Sequence, residues 1–484
     1  MICGVSKRPF HPPVGIPMGG HPGWKRAREI RDPLCVRAAT FEAGGRTAAI
    51  VSVDLLFIDR RLADQVRFRV RQDRDAGRSR LDPDQLYLCA THTHSGPLTT
   101  PLFGSEEEQD LNGLVAAAIG DCLLDAQRHA VQARLRTSHR PFPGWSFCER
   151  IRMHGGRIET HPFKDDPDIL APEGIPDPSL VCLSIRDTRN RLLGVLYNYA
   201  NHPQVLSRRD DRLSADFPGE TEARFNDLAG QDVPLLFLNG ACGDVCPVDA
   251  MNPASNETGE AHLARMGAAL ADALVQLVSE TDAPQDGTGP DDRIVSRSWT
   301  GTLPLRAVPP RLEPDPGGRK EGATPPSSPP VSDYGTEASQ AAAEAGILSL
   351  EQYLGHADWI RQEESDRSRM RRALRENPGY GAATLSALCL GGATFLFHPF
   401  EMFAGLALDI REQAPFRPLF LVELCNDQLG YLPTPAAFLR PGGYETRTLQ
   451  TSRFAPEAGT RVVDEARELL QAAATACPAT GGAP

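Results

Sequence analysis

Thr91-His92-Thr93-His94-Ser95-Gly96-Pro97 follows an apolar run, Gln85 to Ala90, that reads as a buried strand. Two imidazoles delivered together at a strand end can hold a metal ion or move a proton. Residues two apart on an extended chain point the same way, so His92 and His94 are expected to face one cavity, one as a ligand and one as a proton-handling neighbour. His-x-His pairs also occur in ordinary solvated loops, so the pair needs company. His202 supplies it, because it follows the apolar run Leu192 to Tyr199 and Pro203 restricts it to extended backbone. Glu401, in Phe397-His398-Pro399-Phe400-Glu401-Met402-Phe403, is the favoured carboxylate, since an unpaired charge in so apolar a setting is costly. The competing reading is a helix-start glutamate steadied by the helix dipole. Two histidines, a carboxylate and an open position make a catalytic zinc arrangement, because zinc accepts imidazole and oxygen ligands and keeps room for water.

Two more strand ends share this format: the glycine-punctuated loop Asn239 to Asp249, and Asn426-Asp427 followed by Tyr431. In open α/β sheets ligands collect beyond the carboxyl ends of strands, so these ends are expected to converge on one pocket. Gly243, Asp244, Cys246 and Asn426 are the candidates for substrate contact. Cys242 and Cys246 do not suggest a structural zinc, which wants four ligands, because no second cysteine pair lies at matching spacing. Cys246 reads as a small buried residue lining the pocket, with an acyl nucleophile as the alternative. Arg150 can grip a carboxylate or phosphate with a bidentate fork. Asp216 and Asp244 either orient ligand histidines or act as cap and turn residues.

The elements that must position these residues alternate between strand and helix. Strands are expected at 46–57, 85–90, 133–138, 180–185, 192–199, 234–238, 384–397 and 418–424. Helices are expected at 61–74, 111–130, 216–228, 260–279, within 337–376, at 401–412 and at 456–476. This is an α/β pattern: a large mixed sheet layered with helices, one catalytic domain over 1–484, and the active site at strand ends. A Pro- and Gly-rich stretch, 307–333, reads as a loop or insertion, and 477–484 as a flexible tail.

Taken in order, Thr-His-Thr-His-Ser-Gly-Pro at 91–97, Asn-His-Pro at 201–203, Ser-Ala-Asp-Phe-Pro-Gly at 214–219, Asn-Gly-Ala-Cys-Gly-Asp-Val-Cys-Pro at 239–247 and Gly-Tyr-Leu-Pro-Thr at 430–434 resemble the catalytic domain of the neutral/alkaline (non-lysosomal) ceramidase family. The resemblance covers nearly the whole chain and implies a zinc-dependent amidohydrolase with one Zn2+. It implies His92, His202, Glu401 and Tyr431 as metal ligands. By the same resemblance His94 is the neighbouring proton acceptor, and Tyr444 with Arg150 positions substrate or stabilises the developing oxyanion. Cys246 stands where family members that cleave ceramide carry serine, and the stretch after Tyr444 is too short for their C-terminal immunoglobulin-like domain. The expected substrate is therefore a small N-acyl compound other than ceramide. An esterase or Cys-nucleophile acyl hydrolase on the same fold, and a non-catalytic lipid- or sugar-binding protein, are the alternatives.

Bulk properties narrow the partners. The net charge of −12, without long Lys/Arg runs, argues against nucleic acid, and 40% hydrophobic with 24% charged residues is ordinary for a globular protein. No stretch of about 18 apolar residues and no signal-peptide pattern is seen, so neither a membrane anchor nor export is expected. Eleven scattered cysteines fit a reducing cytoplasm.

Overall fold

Near-continuous apolar runs make the central strands buried on both faces. In a computed structural model the described residues are 1–20, 25–100, 109–162, 166–206, 210–252, 259–280, 293–308 and 357–476. Nearly all of the expected 307–333 loop, the 337–356 part of the expected helical stretch, and the 477–484 tail lie outside them.

The larger sheet contains β1 (Ile2–Phe10), β2 (Leu34–Ala43), β3 (Arg46–Val53), β4 (Leu86–Ala90), β5 (Val131–Pro141), β6 (Ser179–Asp187), β7 (Leu192–Tyr199) and β8 (Leu235–Asn239). Its order is β8-β7-β6-β5-β1-β2-β3-β4. Pairing is antiparallel except for β3 with β4 and β7 with β8. Only Ile2↔Gln132 and Cys3↔Val131 join β1 to β5, so the sheet narrows in the middle and doubles back. Ser52 of β3 then donates to the Phe237 carbonyl of β8 at 2.6 Å, which brings the two edges of the sheet together.

A second sheet runs β9 (Ile294–Thr302), β10 (Ala382–Leu390), β11 (Ala393–Phe397) and β12 (Leu419–Val422), in that order. Tyr87, Cys89, Leu196, Leu236, Leu238, Leu388, Phe395, Phe397 and Phe420 fill the layer between the sheets. The opposite face of β4, through Leu86, Leu88 and Ala90, packs on α1 (Arg60–Asp75) and α2 (Gln109–Arg128). Val195, Tyr197 and Tyr199 of β7 pack on α3 (Asp216–Ala229) and α4 (Glu260–Glu280). After α5 (Ala357–Glu376), helices α6 (Ala404–Gln413) and α7 (Glu457–Ala476) cover the second sheet. Successive side chains that face opposite buried layers thus build the α/β architecture expected from the sequence. No helix among the described residues is long and apolar enough to cross a membrane.

Within these two sheets, three strands were not legible in the sequence. β1 is mostly half-exposed, β9 alternates with polar residues, and β2 carries Arg37, Thr40 and Glu42 within an apolar run. The expected helix 401–412 is also corrected: Glu401–Met402 is a short strand, and α6 begins only at Ala404. Glu401 is therefore no helix-start glutamate.

Candidate metal centre

Four strand ends meet where the sheets touch. Cys89 of β4 bridges to Cys425, the Glu423 amide donates to the Asn239 carbonyl, and Asn239 Nδ2 donates to the Thr91 carbonyl at 3.5 Å. His92, His94, His202 and Glu401 are all buried at this junction. The ligand nitrogens of the three histidines lie within 4.8 Å of one another. Their rings pack at 4.8 Å (His92 with His94 and with His202) and 5.2 Å (His94 with His202).

The local backbone differs from the extended path expected at 91–95. His92 adopts a left-handed conformation, φ 68°, which is uncommon for a residue with a side chain and is kept only where the surroundings enforce it. Its amide donates to the Leu55 carbonyl, and its Nδ1 lies 3.0 Å from the Leu56 carbonyl. His202 Nδ1 lies 2.7 Å from the Val245 carbonyl. A carbonyl only accepts, so in both rings Nδ1 carries the proton and Nε2 presents a lone pair. Both Nε2 atoms face Glu401 Oε2, at 3.5 Å from His92 and 3.9 Å from His202. Three electron-pair donors therefore converge, which is favourable only around a proton or a cation. Burial would raise the Glu401 carboxyl, but hydrogen bonding and positive charge shared with His202 and His92 hold it down to about 2, so its carboxylate form goes with the proton or cation that the three donors share.

Asp216 and Asp244 act one step further out and touch neither imidazole. Asp216 accepts the amides of Val205 and Leu206, just beyond His202-Pro203, and that of Phe217. Asp244 Oδ1 accepts the Ala404 amide at 2.7 Å, just beyond Glu401. The loop also closes on the Glu401 strand at Gly243, whose amide donates to the Met402 carbonyl. A Cβ at Gly243 would sit 2.4 Å from the Glu401 carbonyl oxygen, so the close approach requires glycine.

Tyr431 lies directly across from Glu401 in a parallel two-strand pairing, which puts both side chains on one face. Its hydroxyl is 3.3 Å from that of Tyr444. Burial pushes both phenols well above their ordinary value, and the Glu401 charge adds to it. Arg150 is fully buried, with Nε on Glu173 (2.6 Å), Nη1 on Glu445 (2.5 Å) and its guanidinium over Phe403. Nη2 has no hydrogen-bond partner among the described residues. Gly443, at φ 75°, leaves room for Arg150, since a Cβ there would sit 2.0 Å from Nη1.

Two sequence candidates lie apart from this donor set. Asn426 braces β4, with the Leu88 amide donating to its Oδ1 (3.1 Å) and its Nδ2 donating to the Leu86 carbonyl (2.9 Å). Cys246 donates its thiol to the Val248 carbonyl and lies beside Glu149 and His161. Glu149 and His161 were not singled out in the sequence. Glu149 is hidden between Cys148 and Arg150, and the dipeptide His161-Pro162 recurs at 11, 21, 202 and 398, so it does not discriminate.

Among solved structures, the fold matches a ceramidase complexed with C2 (TM-score 0.69, 18% identity) and the neutral ceramidase from Pseudomonas aeruginosa (TM-score 0.68, 17% identity). Each alignment spans 100% of this chain and 76% of the other. No family model and no curated protein matches the sequence. At these identities the likeness is one of fold.

Proposed function

We propose that the chain is a zinc-dependent hydrolase of an amide bond in a small N-acyl substrate, with one ion held by His92, His202, Glu401 and Tyr431. The observation that carries this reading is the convergence of two Nε2 lone pairs and one carboxylate oxygen, with both Nδ1 protons committed to backbone carbonyls. Imidazole and carboxylate donors suit zinc. Zinc bound there would polarise a carbonyl oxygen and acidify a water in its open position.

The remaining chemistry belongs to the chain. His94 Nε2 lies 3.3 Å from His92 Nε2, beside the donor set, and would receive the proton given up as water attacks the carbonyl. Tyr444 stays a neutral phenol because burial raises it, so it can donate a hydrogen bond to the developing oxyanion. Arg150, tied by two nitrogens, would present Nη2 to the substrate while Glu445 fixes the turn that carries Tyr444. The ceramidase fold of the neighbours supports an N-acyl substrate, and cysteine at 246 in place of serine argues for one other than ceramide. A Cys246 acyl-enzyme is disfavoured, because burial and then the nearby Glu149 charge push this thiol well above its ordinary value.

The test is turnover of a panel of N-acyl amides by protein as purified, after dialysis against a chelator, and after zinc is restored. Activity should vanish and return. Activity that survives metal removal, or tight binding of the panel without turnover, would overturn the proposal.

A further inference from the structure

A second set of ligating atoms lies beside the first and is not used in the chemistry above. Glu149, His161 and Cys246 each offer one ligand atom, and these lie within 4.8 Å of one another. Atoms bound to one tetrahedral zinc at about 2.0–2.3 Å sit about 3–4 Å apart, so little side-chain adjustment would gather them.

The backbone holds the three together. Cys246 and Phe147 pair across a short antiparallel ladder, Val245–Cys246 on Phe147–Cys148. The Glu149 amide donates to the Asp244 carbonyl at 3.0 Å, and the His161 amide donates to the Glu149 carbonyl at 3.1 Å. His161 is held at φ 52°, another left-handed conformation imposed on a residue with a side chain.

The independent sign of a missing ligand is Glu149 itself. It is 1% exposed, yet neither carboxylate oxygen accepts a hydrogen bond among the described residues. Its Oε2 lies 3.2 Å from His161 Nε2. A buried carboxylate in that state is costly unless it is protonated or meets a cation. The donor set of thiol, imidazole and carboxylate matches a borderline-soft divalent ion and differs from the oxygen-rich sets of calcium or magnesium.

We propose that Glu149, His161 and Cys246 form a second divalent-cation site, selective for zinc-like ions and next to the His92/His202/Glu401 centre. The Val245 carbonyl that holds His202 Nδ1 belongs to the residue before Cys246, so the two sites share one piece of backbone. On binding, the Cys246 S–H bond breaks, its proton leaves to solvent and the thiolate sulfur coordinates the ion. The side chain of His161 is 30% exposed, which gives an entry side. The inference concerns different ligands from the first centre and stands or falls separately.

The experiment is cobalt(II) titration of chelator-stripped protein, read by absorption, with zinc counted by elemental analysis in parallel. Wild type should take up two equivalents and develop a sulfur-to-cobalt charge-transfer band. Cys246→Ser should lose the band and one equivalent, and so should His161→Ala lose one equivalent, while His92→Ala should lose the other and keep the band. Thermal melting of each variant confirms folding, and the part-exposed His161 is the variant least prone to disturb it. No band in wild type, a band that persists in Cys246→Ser, or a trapped acyl adduct on Cys246 would overturn the second site. One equivalent, lost only in His92→Ala, would overturn it while leaving the first centre intact. One equivalent with the band, lost only in Cys246→Ser, would support it and remove the first.

Discussion

Two buried polar clusters flank the same β-sheet and solve the problem of buried charge in opposite ways. At one, Arg37 donates to Asp54 (2.9 Å) and to Glu222 (3.0 and 2.6 Å), while Lys7 and the Leu235 amide reach Glu222 and the Cys35 amide reaches Asp54. Charge there is balanced by the chain's own cations. At the other, His92 and His202 turn lone pairs towards the Glu401 carboxylate, and their N–H groups are occupied elsewhere. A cluster that supplies its own counter-charge maintains a structure, whereas one that lacks it is where the proposed ion would supply the missing charge.

Mutation separates the two. His92→Ala or Glu401→Gln should lower kcat/KM on the N-acyl panel by about a thousandfold or more, the scale on which a lost electrostatic stabiliser acts, with little change in melting temperature. Arg37→Met should do the reverse. Leaving Asp54 and Glu222 buried without their cation should cost about 3–5 kcal/mol in denaturant unfolding, while kcat of the folded fraction is kept. Equal loss of stability at both clusters would erase the distinction.

A smaller effect sharpens it at Asn426. If its amide serves only to brace β4, Asn426→Ala should cost about 1–3 kcal/mol and leave KM unchanged. A raised KM at unchanged stability would return it to the substrate pocket.

A further expected effect is a pH slope in chelator-stripped protein. Burial, reinforced by the Glu445 and Glu401 charges and opposed by His202, lifts the Glu149 carboxyl to about 8. Between its ordinary value and about 8 the folded chain holds a proton that the unfolded chain has released, so stability should fall as pH rises through that window. Glu149→Gln should flatten this dependence in thermal melts from pH 5 to pH 8, and an unaltered slope would assign it to another group.

Much of this was legible because apolar runs ending in polar motifs are strong local signals. The strands 85–90, 192–199 and 234–238 and the residues just beyond them lie where the sequence suggested. His92 and His94 lie side by side, but by a left-handed turn at His92 in place of strand alternation, a conformation set by the Leu55 and Leu56 carbonyls from another segment. β1 and β9 were hidden because half-exposed strands mix polar and apolar residues without a clean period. The sequence offered Asp216 and Asp244 as partners for the imidazoles, yet backbone carbonyls fill that role, and no residue type announces a carbonyl. Glu149 and His161 become neighbours only through the ladder between 147–148 and 245–246, a long-range pairing that no motif encodes.

The most direct test is calorimetric titration of chelator-stripped protein with zinc, comparing wild type with a His92→Ala/His202→Ala double variant whose folding is verified by circular dichroism. The expected result is loss of one tightly bound equivalent in the variant together with loss of turnover. Zinc binding that is unchanged by removing both imidazoles would contradict the metal centre.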